Sequence, residues 1–331
     1  MSNQLMACFG LGSRGLSSGA RKRHDASDVL WLNVGEIGHD LSIPKALAWW
    51  SAAASAMGHF THAAKVDDDT FVHVPNFLQA VAAAHATSMA AASSQPGLAQ
   101  QPAMCFGPLA HASYSPDKFR MCGWSWQRSI GSWRRQKCGA RGFSKPNPFP
   151  LGALQLLSRN LVVALGTSEA VRRFSTSADG DPELRKRESN EDVAIGYWIA
   201  MVAAERALNV SYVNINDRAP NLGCFRNGGL YRNPSPSHIL LHRIKGAAGQ
   251  PYVLRVMEGE AFDPVACVEA AEIEVPKASM IFTPTFKARL KAGTASVTFD
   301  GKTNMLSMRF GPPQAMSAAF LQNIATNASA G

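Results

Sequence analysis

The sequence predicts an α/β fold, in which a mostly parallel, twisted sheet carries helices on both faces and a small β-rich appendage follows. Strand-like and helix-like segments alternate over the first ninety or so residues, a pattern typical of parallel sheets with crossover helices. Of the 331 residues, 46% are hydrophobic and 17% charged, so the chain can bury a large core. After Gly246 only short strand-like pieces remain. We therefore expect a domain at residues 1–246 and the appendage, with a frayed end, at 247–331.

The alternating part begins with a strongly apolar run of strand length at residues 28–34. Pro44 then starts a helix over 45–57, whose small and apolar residues run nearly all round and predict a mostly buried element. A second strand at 60–66 and an alanine-rich helix at 77–92 follow.

The later elements are less regular. Residues 105–145 have weak periodicity and predict an irregular insertion. A helix at 159–165 follows a serine cap, and a helix at 191–208 precedes a strand at 210–215. Residues 295–310 read as a hairpin around Asp300-Gly301.

The charge and the cysteines limit the function classes. A formal charge of +9 indicates an anionic partner, such as a nucleotide, an acidic glycan or a membrane surface. The basic residues are spread along the chain without a nucleic-acid motif, so we expect no nucleic-acid partner. The six cysteines contain no CxxC, which argues against a zinc ribbon. They fit disulfides in a secretory lumen and buried thiols equally well, and Cys105, Cys122 and Cys138 are the first candidates for a bridge.

Three consecutive acids, Asp67, Asp68 and Asp69, lie between two apolar, strand-like segments. Burying like charges without partners is unfavourable, so such a run favours a bound cation. Oxygen ligands suit hard divalent ions such as Mn²⁺ or Mg²⁺, which often neutralise phosphate. In a parallel sheet the run would lie at the carboxyl end of a strand, where ligands gather. A solvated acidic turn is the alternative, and the apolar flanks on both sides weaken it.

Six motifs, in this order, resemble glycosyltransferase family 31, the β-1,3-galactosyl and N-acetylglucosaminyl transferases of the Golgi. They are Asp28-Val29-Leu30, Pro44-Lys45 with Trp49, Lys65–Leu78 (KVDDDTFVHVPNFL), Gly152–Leu161 (GALQLLSRNL), Glu191–Gly196 (EDVAIG) and Leu241–Lys245 (LHRIK). The resemblance covers about residues 28–245, and the acid run is its most specific part. It implies a GT-A-like version of the α/β fold.

The resemblance also implies a metal site and a donor site. Asp69 would be the direct ligand of Mn²⁺ or Mg²⁺ and His242 the second protein ligand, with His238 as the runner-up. Asp67 and Asp68 would hold the ribose and sugar of a UDP-sugar donor. Lys65 and Gly152 belong to the same implied donor site.

The implied base is Asp192, which would take a proton from the acceptor hydroxyl with Glu191 in support. Simple capping of a helix N-terminus is the alternative explanation for both acids. The expected function is an inverting, metal-dependent hexosyltransferase, β-1,3-galactosyltransferase-like, which moves a hexose or N-acetylhexosamine from a UDP-sugar to a glycan or glycoprotein. By the same resemblance we expect it in the Golgi lumen, with membrane association only in a full-length form.

The chain departs from the family in three places. We find no counterpart of the family's first strand before Met6, and no membrane anchor or signal-peptide pattern. The family's GGGY is here Gly152-Ala153-Leu154-Gln155. A catalytically inactive or weakened binding protein on the same scaffold therefore remains the main alternative. A phosphohydrolase with an aspartyl nucleophile ranks lower, because Phe71 stands where its DxDx[T/V] pattern needs Thr or Val.

Overall fold

The structure, a computed structural model, describes residues 9–14, 29–35, 42–56, 60–93, 103–115, 120–125, 132–173, 191–224, 231–244, 248–263, 266–267, 270, 275–276, 295–300 and 305–310. The fold is mixed α/β. The chain forms two compact units, one of residues 1–67 with 81–215 and one of residues 68–80 with 216–331. The domain boundary expected at residue 246 stays a prediction, and the frayed end expected for the appendage at 247–331 lies outside the described residues.

Helices and strands alternate irregularly along the chain. In order they are β1 (Phe9–Arg14), β2 (Val29–Gly35), α1 (Ser42–Ala56), β3 (His62–Lys65), β4 (Thr70–Val72), α2 (Val74–Ser93), β5 (Ala103–Gly107), β6 (Leu109–Ser115), β7 (Arg120–Ser125), α3 (Ser132–Gly139), β8 (Asn147–Pro150), β9 (Gln155–Ser158), α4 (Arg159–Thr167), α5 (Glu191–Glu205), β10 (Val210–Asn214), a 3-10 turn (Asn216–Arg218), β11 (Asn221–Leu222), β12 (Tyr231–Arg232), β13 (Leu240–His242), α6 (Gly249–Met257), β14 (Val275–Pro276), β15 (Ala295–Asp300) and β16 (Met305–Phe310).

The sheets of the first unit have mixed strand orientation, so the expectation of a mostly parallel sheet is wrong. One sheet has the order β10-β5-β9-β3, in which β10 and β5 are parallel while β5–β9 and β9–β3 are antiparallel. Strand β3 pairs with β9, which lies far along the chain, and not with the preceding strand β2. A second sheet, β7-β6-β8, is wholly antiparallel, and β1 pairs with β2 in parallel.

The core of the first unit is built around two tryptophans, Trp50 on α1 and Trp198 on α5, which are both fully buried. Helix α1 does not bury every side. Its fully buried residues recur at spacings of three and four and form one stripe, made of Ile43, Ala46, Trp50 and Ala53. The prediction of a mostly buried α1 is therefore correct for one face only.

Helix α5 approaches strand β8 closely at Gly196. A Cβ at this position would overlap the Phe149 side chain and lie 2.7 Å from the Pro148 carbonyl oxygen. The glycine of the EDVAIG segment thus has a packing role, because it lets α5 lie directly on the strand. The contact sets the distance between α5 and β8, and therefore the position of Glu191 and Asp192 in the first turn of α5.

The second unit contains the sheet β12-β11-β13-β4. Strand β4 pairs antiparallel with β13, and β11 pairs in parallel with both β13 and β12. Its core joins Leu241 of β13 to Tyr252 and Val253 of α6. Strands β15 and β16 pair antiparallel, which confirms the two strands expected in the hairpin; its turn, at 301–304, lies outside the described residues.

Two disulfides are formed among the described residues. Cys122 and Cys138 are bridged, which joins two of the three cysteines predicted as candidates, while Cys105 is a buried free thiol. The second bridge, Cys224–Cys267, was not expected from the sequence. Within the described residues, no helix combines the length and the apolar character needed to cross a bilayer.

Candidate functional site

The first group of candidate residues forms around Lys65, the last residue of β3. Its Nζ donates to Asp67 Oδ1 at 2.9 Å and to Glu191 Oε1 at 2.8 Å. The three side chains are between 18% and 33% exposed, so these ion pairs are only partly accessible to solvent. Lys65 therefore links the start of the acid run to the first turn of α5.

Strand register places Gln155 beside Lys65. The two residues are directly opposed in the antiparallel β3–β9 ladder, and opposed residues project from the same face of a sheet. Gln155 Nε2 donates to Asp192 Oδ1 at 2.8 Å. Adjacent residues of β3 and β9 thus bind adjacent acids of α5.

Gly152, in the turn between β8 and β9, contacts two of the acids. Its carbonyl oxygen accepts a hydrogen bond from the Asp67 N–H at 3.0 Å, and its own N–H donates to the Asp192 carboxylate. A Cβ at residue 152 would overlap the Asp67 carboxylate. Glycine is required here because the acid lies directly against the backbone.

The environment of Asp192 makes its carboxyl group hold a proton more tightly than an exposed aspartate does. Burial is the largest influence and raises the pKa of Asp192 to about 7, from an ordinary value of 3.8. The positive charge of Lys65 and the Gly152 N–H act in the opposite direction, while the negative charges of Glu191 and Asp67 add to the rise. A carboxylate with a pKa near 7 is suited to accept a proton at neutral pH.

The pKa of Lys65 moves the other way. Burial alone would lower it, but Glu191, Asp67 and Asp192 together raise it above its ordinary value. Lys65 is therefore a permanent cation among three carboxyl groups.

The second group of candidate residues lies in the second unit, on the paired strands β4 and β13. His242 is opposite Thr70 in this ladder, and the Ile244 N–H donates to the Asp69 carbonyl oxygen at 2.8 Å. These contacts place His242 Nε2 at 3.1 Å from Asp69 Oδ1. His242, rather than the alternative His238, is thus the histidine that lies against Asp69.

The other ring nitrogen of His242 is held by Asn221, its neighbour on β11. Nδ1 lies 2.9 Å from Asn221 Oδ1, a contact in which Nδ1–H is the donor. In the neutral ring Nε2 then carries a lone pair, which faces a carboxylate oxygen.

The Asp69–His242 distance is compatible with a shared metal ion. Two adjacent ligands of an octahedral ion, each about 2.1 Å from it, are about 3.0 Å apart. Metal-ligating histidines typically donate from the second ring nitrogen to an oxygen, as His242 does to Asn221. Asp69 and His242 are therefore placed so that they could hold a metal ion.

The backbone beside the pair is strained. Arg243 has φ = 68°, in the left-handed region that glycine favours, and its Nη1 donates to the Tyr231 hydroxyl at 2.9 Å. Asp68, the middle residue of the acid run, is exposed to solvent, whereas Asp67 and Asp69 are partly buried.

Gln155 and Asn221 are the functional candidates that sequence reasoning missed. Gln155 could have been noticed in the sequence, since it stands where the GGGY motif of the resembled family has tyrosine. Asn221 had none, because its segment is a short strand in a passage rich in glycine, asparagine and proline.

Comparison with known proteins yields no family model and no curated protein that matches the chain.

Proposed function

We propose that this protein is an inverting, metal-dependent glycosyltransferase that moves a hexose or N-acetylhexosamine from a UDP-sugar to a glycan or glycoprotein. A β-1,3-galactosyltransferase-like activity is the specific form of this proposal, and its parent fold is GT-A-like. The observation that carries it is the Asp192 carboxyl group, whose pKa near 7 and fixed hydrogen bonds suit a general base.

In the proposed reaction Asp192 accepts the proton of an acceptor hydroxyl. The hydroxyl oxygen forms a bond to the anomeric carbon of the donor sugar. The bond from that carbon to the β-phosphate oxygen breaks, and the nucleoside diphosphate leaves with the electron pair. Attack on the face opposite the leaving group inverts the anomeric centre.

Asp67 and Asp68 are the proposed contacts of the donor ribose and sugar. Lys65 and Gly152 support this role because they fix Asp67, one by an ion pair and one by close backbone approach. Glu191 binds Lys65, and we propose that it supports Asp192 by holding this cation in place.

Asp69 and His242 are the proposed metal ligands. A bound Mn²⁺ or Mg²⁺ would supply electrostatic stabilisation of the leaving diphosphate.

The proposed location is the Golgi lumen. The two disulfides support an oxidising compartment, because such bridges are rare in the cytosol. The proposed partners are the nucleotide sugar and the glycan acceptor, and nucleic acid is not among them.

The direct test is to incubate the purified chain with Mn²⁺, a panel of UDP-sugars and a set of glycan acceptors, and to detect UDP release and the new glycoside. We expect transfer from one donor, with a β-linked product. Asp192→Asn should reduce transfer by about 10²–10⁴-fold and leave UDP binding intact. Transfer that survives this substitution would rule out the assigned base.

Calorimetry with UDP and Mn²⁺ separates the enzyme from an inactive relative. We expect Mn²⁺-dependent UDP binding that Asp69→Ala and His242→Ala both abolish. UDP binding without transfer for any pair of substrates would favour the inactive binding protein. A chain that neither binds UDP nor transfers sugar would eliminate both.

A further inference from the structure

We propose that Gln155 is a positioning residue whose side-chain amide holds the Asp192 carboxyl group in one orientation through gain and loss of its proton. The inference rests on the proposed role of Asp192 as the base. Gln155 is completely buried at the start of β9, and its Nε2 lies 2.8 Å from Asp192 Oδ1. Burial of an amide is unfavourable unless the amide is hydrogen-bonded. The bond from Nε2 to Asp192 is the shorter of the two hydrogen bonds that the Gln155 amide donates.

The two opposed residues of the β3–β9 ladder treat the two adjacent acids differently. Lys65 gives Glu191 a full positive charge at 2.8 Å, whereas Gln155 gives Asp192 a neutral donor. A lysine in place of Gln155 would hold Asp192 permanently ionised. The neutral amide fixes the same geometry and leaves the carboxyl group able to exchange a proton near neutral pH.

The side-chain amide oxygen of Gln155 supports the same role. Gln155 Oε1 is buried and has no hydrogen-bond partner among the described residues, and Nε2 has one further contact, at 3.5 Å from the Pro150 carbonyl oxygen. An ionised Asp192 requires a donor, which Nε2 provides. A protonated Asp192 can itself donate to Oε1 after the amide rotates by half a turn. Glutamine therefore serves both protonation states from one position.

The charged groups that face Asp192 are Lys65 on β3, Asp67 just beyond β3, and Glu191 on its own helix. The uncharged donors are the Gly152 N–H and Gln155 Nε2. Replacing Gln155 by methionine removes one donor to the ionised form, keeps the side-chain length and leaves every charge in place. The ionised form of Asp192 should then become less favourable.

The experiment is a carboxyl ¹³C NMR titration of the full chain. The Asp192 signal is assigned by its disappearance in Asp192→Asn. In the unaltered protein its midpoint should lie near pH 7. Gln155→Met should move the midpoint upward by about one unit, the size expected for one hydrogen bond to a charged group. The matched control is Gln136→Met, at an exposed glutamine of α3, which should leave the midpoint unchanged.

A second measurement needs no substitution, so it remains available if Gln155→Met does not fold. The side-chain NH₂ signals of Gln155 should shift with the same midpoint as the Asp192 carboxyl signal. Flat NH₂ signals across that titration would overturn the proposal, and so would an unchanged Asp192 midpoint in folded Gln155→Met. Neither readout requires substrate, so absence of sugar transfer would overturn the proposed function without affecting the NMR result.

Discussion

Lys65 and Gln155 lie directly opposite each other in the antiparallel β3–β9 ladder, and each binds one of two adjacent acids at the start of α5. The cross-strand pair thereby connects the sheet to the helix at the point where Glu191 and Asp192 emerge. The two acids also differ in their partners, because Glu191 contacts a positive charge and Asp192 contacts a neutral donor. The arrangement depends on strand register, since a shift of one strand by one residue would turn its side chain to the other face.

Lys65→Met should destabilise the first unit. The substitution leaves Asp67 and Glu191 without their shared cation and next to Asp192, and the loss should be about 2–4 kcal/mol after allowance for partial exposure. Urea denaturation measures it. The double variant Lys65→Met/Glu191→Gln should recover part of the loss, because it removes one of the neighbouring carboxylate charges. Strictly additive effects of the two substitutions would contradict the ion pair as an energetic link.

Asp192→Asn should change the pH dependence of stability. Because the pKa of Asp192 is raised from 3.8 to about 7, the folded chain binds a proton more tightly than the unfolded chain. Stability from this group is present below about pH 4 and is lost as the pH rises to 7. The asparagine variant, which does not titrate, should therefore gain about 2–4 kcal/mol over the unaltered protein at pH 8, relative to their difference at pH 4. Equal differences at the two pH values, in urea denaturation, would show that Asp192 titrates normally.

The sequence predicted local elements better than it predicted the pairing of the strands. The acid run, the segment EDVAIG and the strand at 60–66 are local features, so their types and approximate limits could be read from neighbouring residues. The partner of β3 could not, because it is β9, far along the chain, and local periodicity carries no information about such pairing. The inference of parallel strands assumed that successive strands pair, which β3 and β2 do not.

The strands at 103–115 were missed for a different reason. All five residues of β5 and six of the seven residues of β6 are buried, so neither strand shows the alternation of polar and apolar residues that identifies a half-exposed strand. Gln155 was visible as a departure from a motif, but its contact with Asp192 depends on the register of β9 against β3. Sequence alone therefore located the acids without the residues that orient them.

Asn221→Ala should weaken metal binding without removing a ligand. Asn221 orients the His242 ring through Nδ1, and loss of such a contact typically lowers metal affinity by about 10–100-fold. Calorimetric titration of the chain with Mn²⁺ alone measures this. Asn209→Ala, at an exposed asparagine of the first unit, is the matched control and should bind Mn²⁺ like the unaltered chain. Unchanged affinity in Asn221→Ala would remove Asn221 from the metal site.

Gly196→Ala should displace Glu191 and Asp192, which lie at the start of the same helix. The added methyl group would overlap the Phe149 side chain and approach the Pro148 carbonyl oxygen, so α5 must move away from β8. Overpacking of this kind typically costs about 1–3 kcal/mol, although alanine is the better helix former. The matched control is Gly139→Ala at the end of α3, where a Cβ meets nothing within 4 Å and stability should be unchanged or slightly higher. Urea denaturation of both variants, with the Asp192 titration midpoint as a second readout, tests the effect. Since movement of α5 would draw Asp192 away from Gln155, a destabilised Gly196→Ala with an unaltered midpoint would show that the helix adjusts without displacing its first turn.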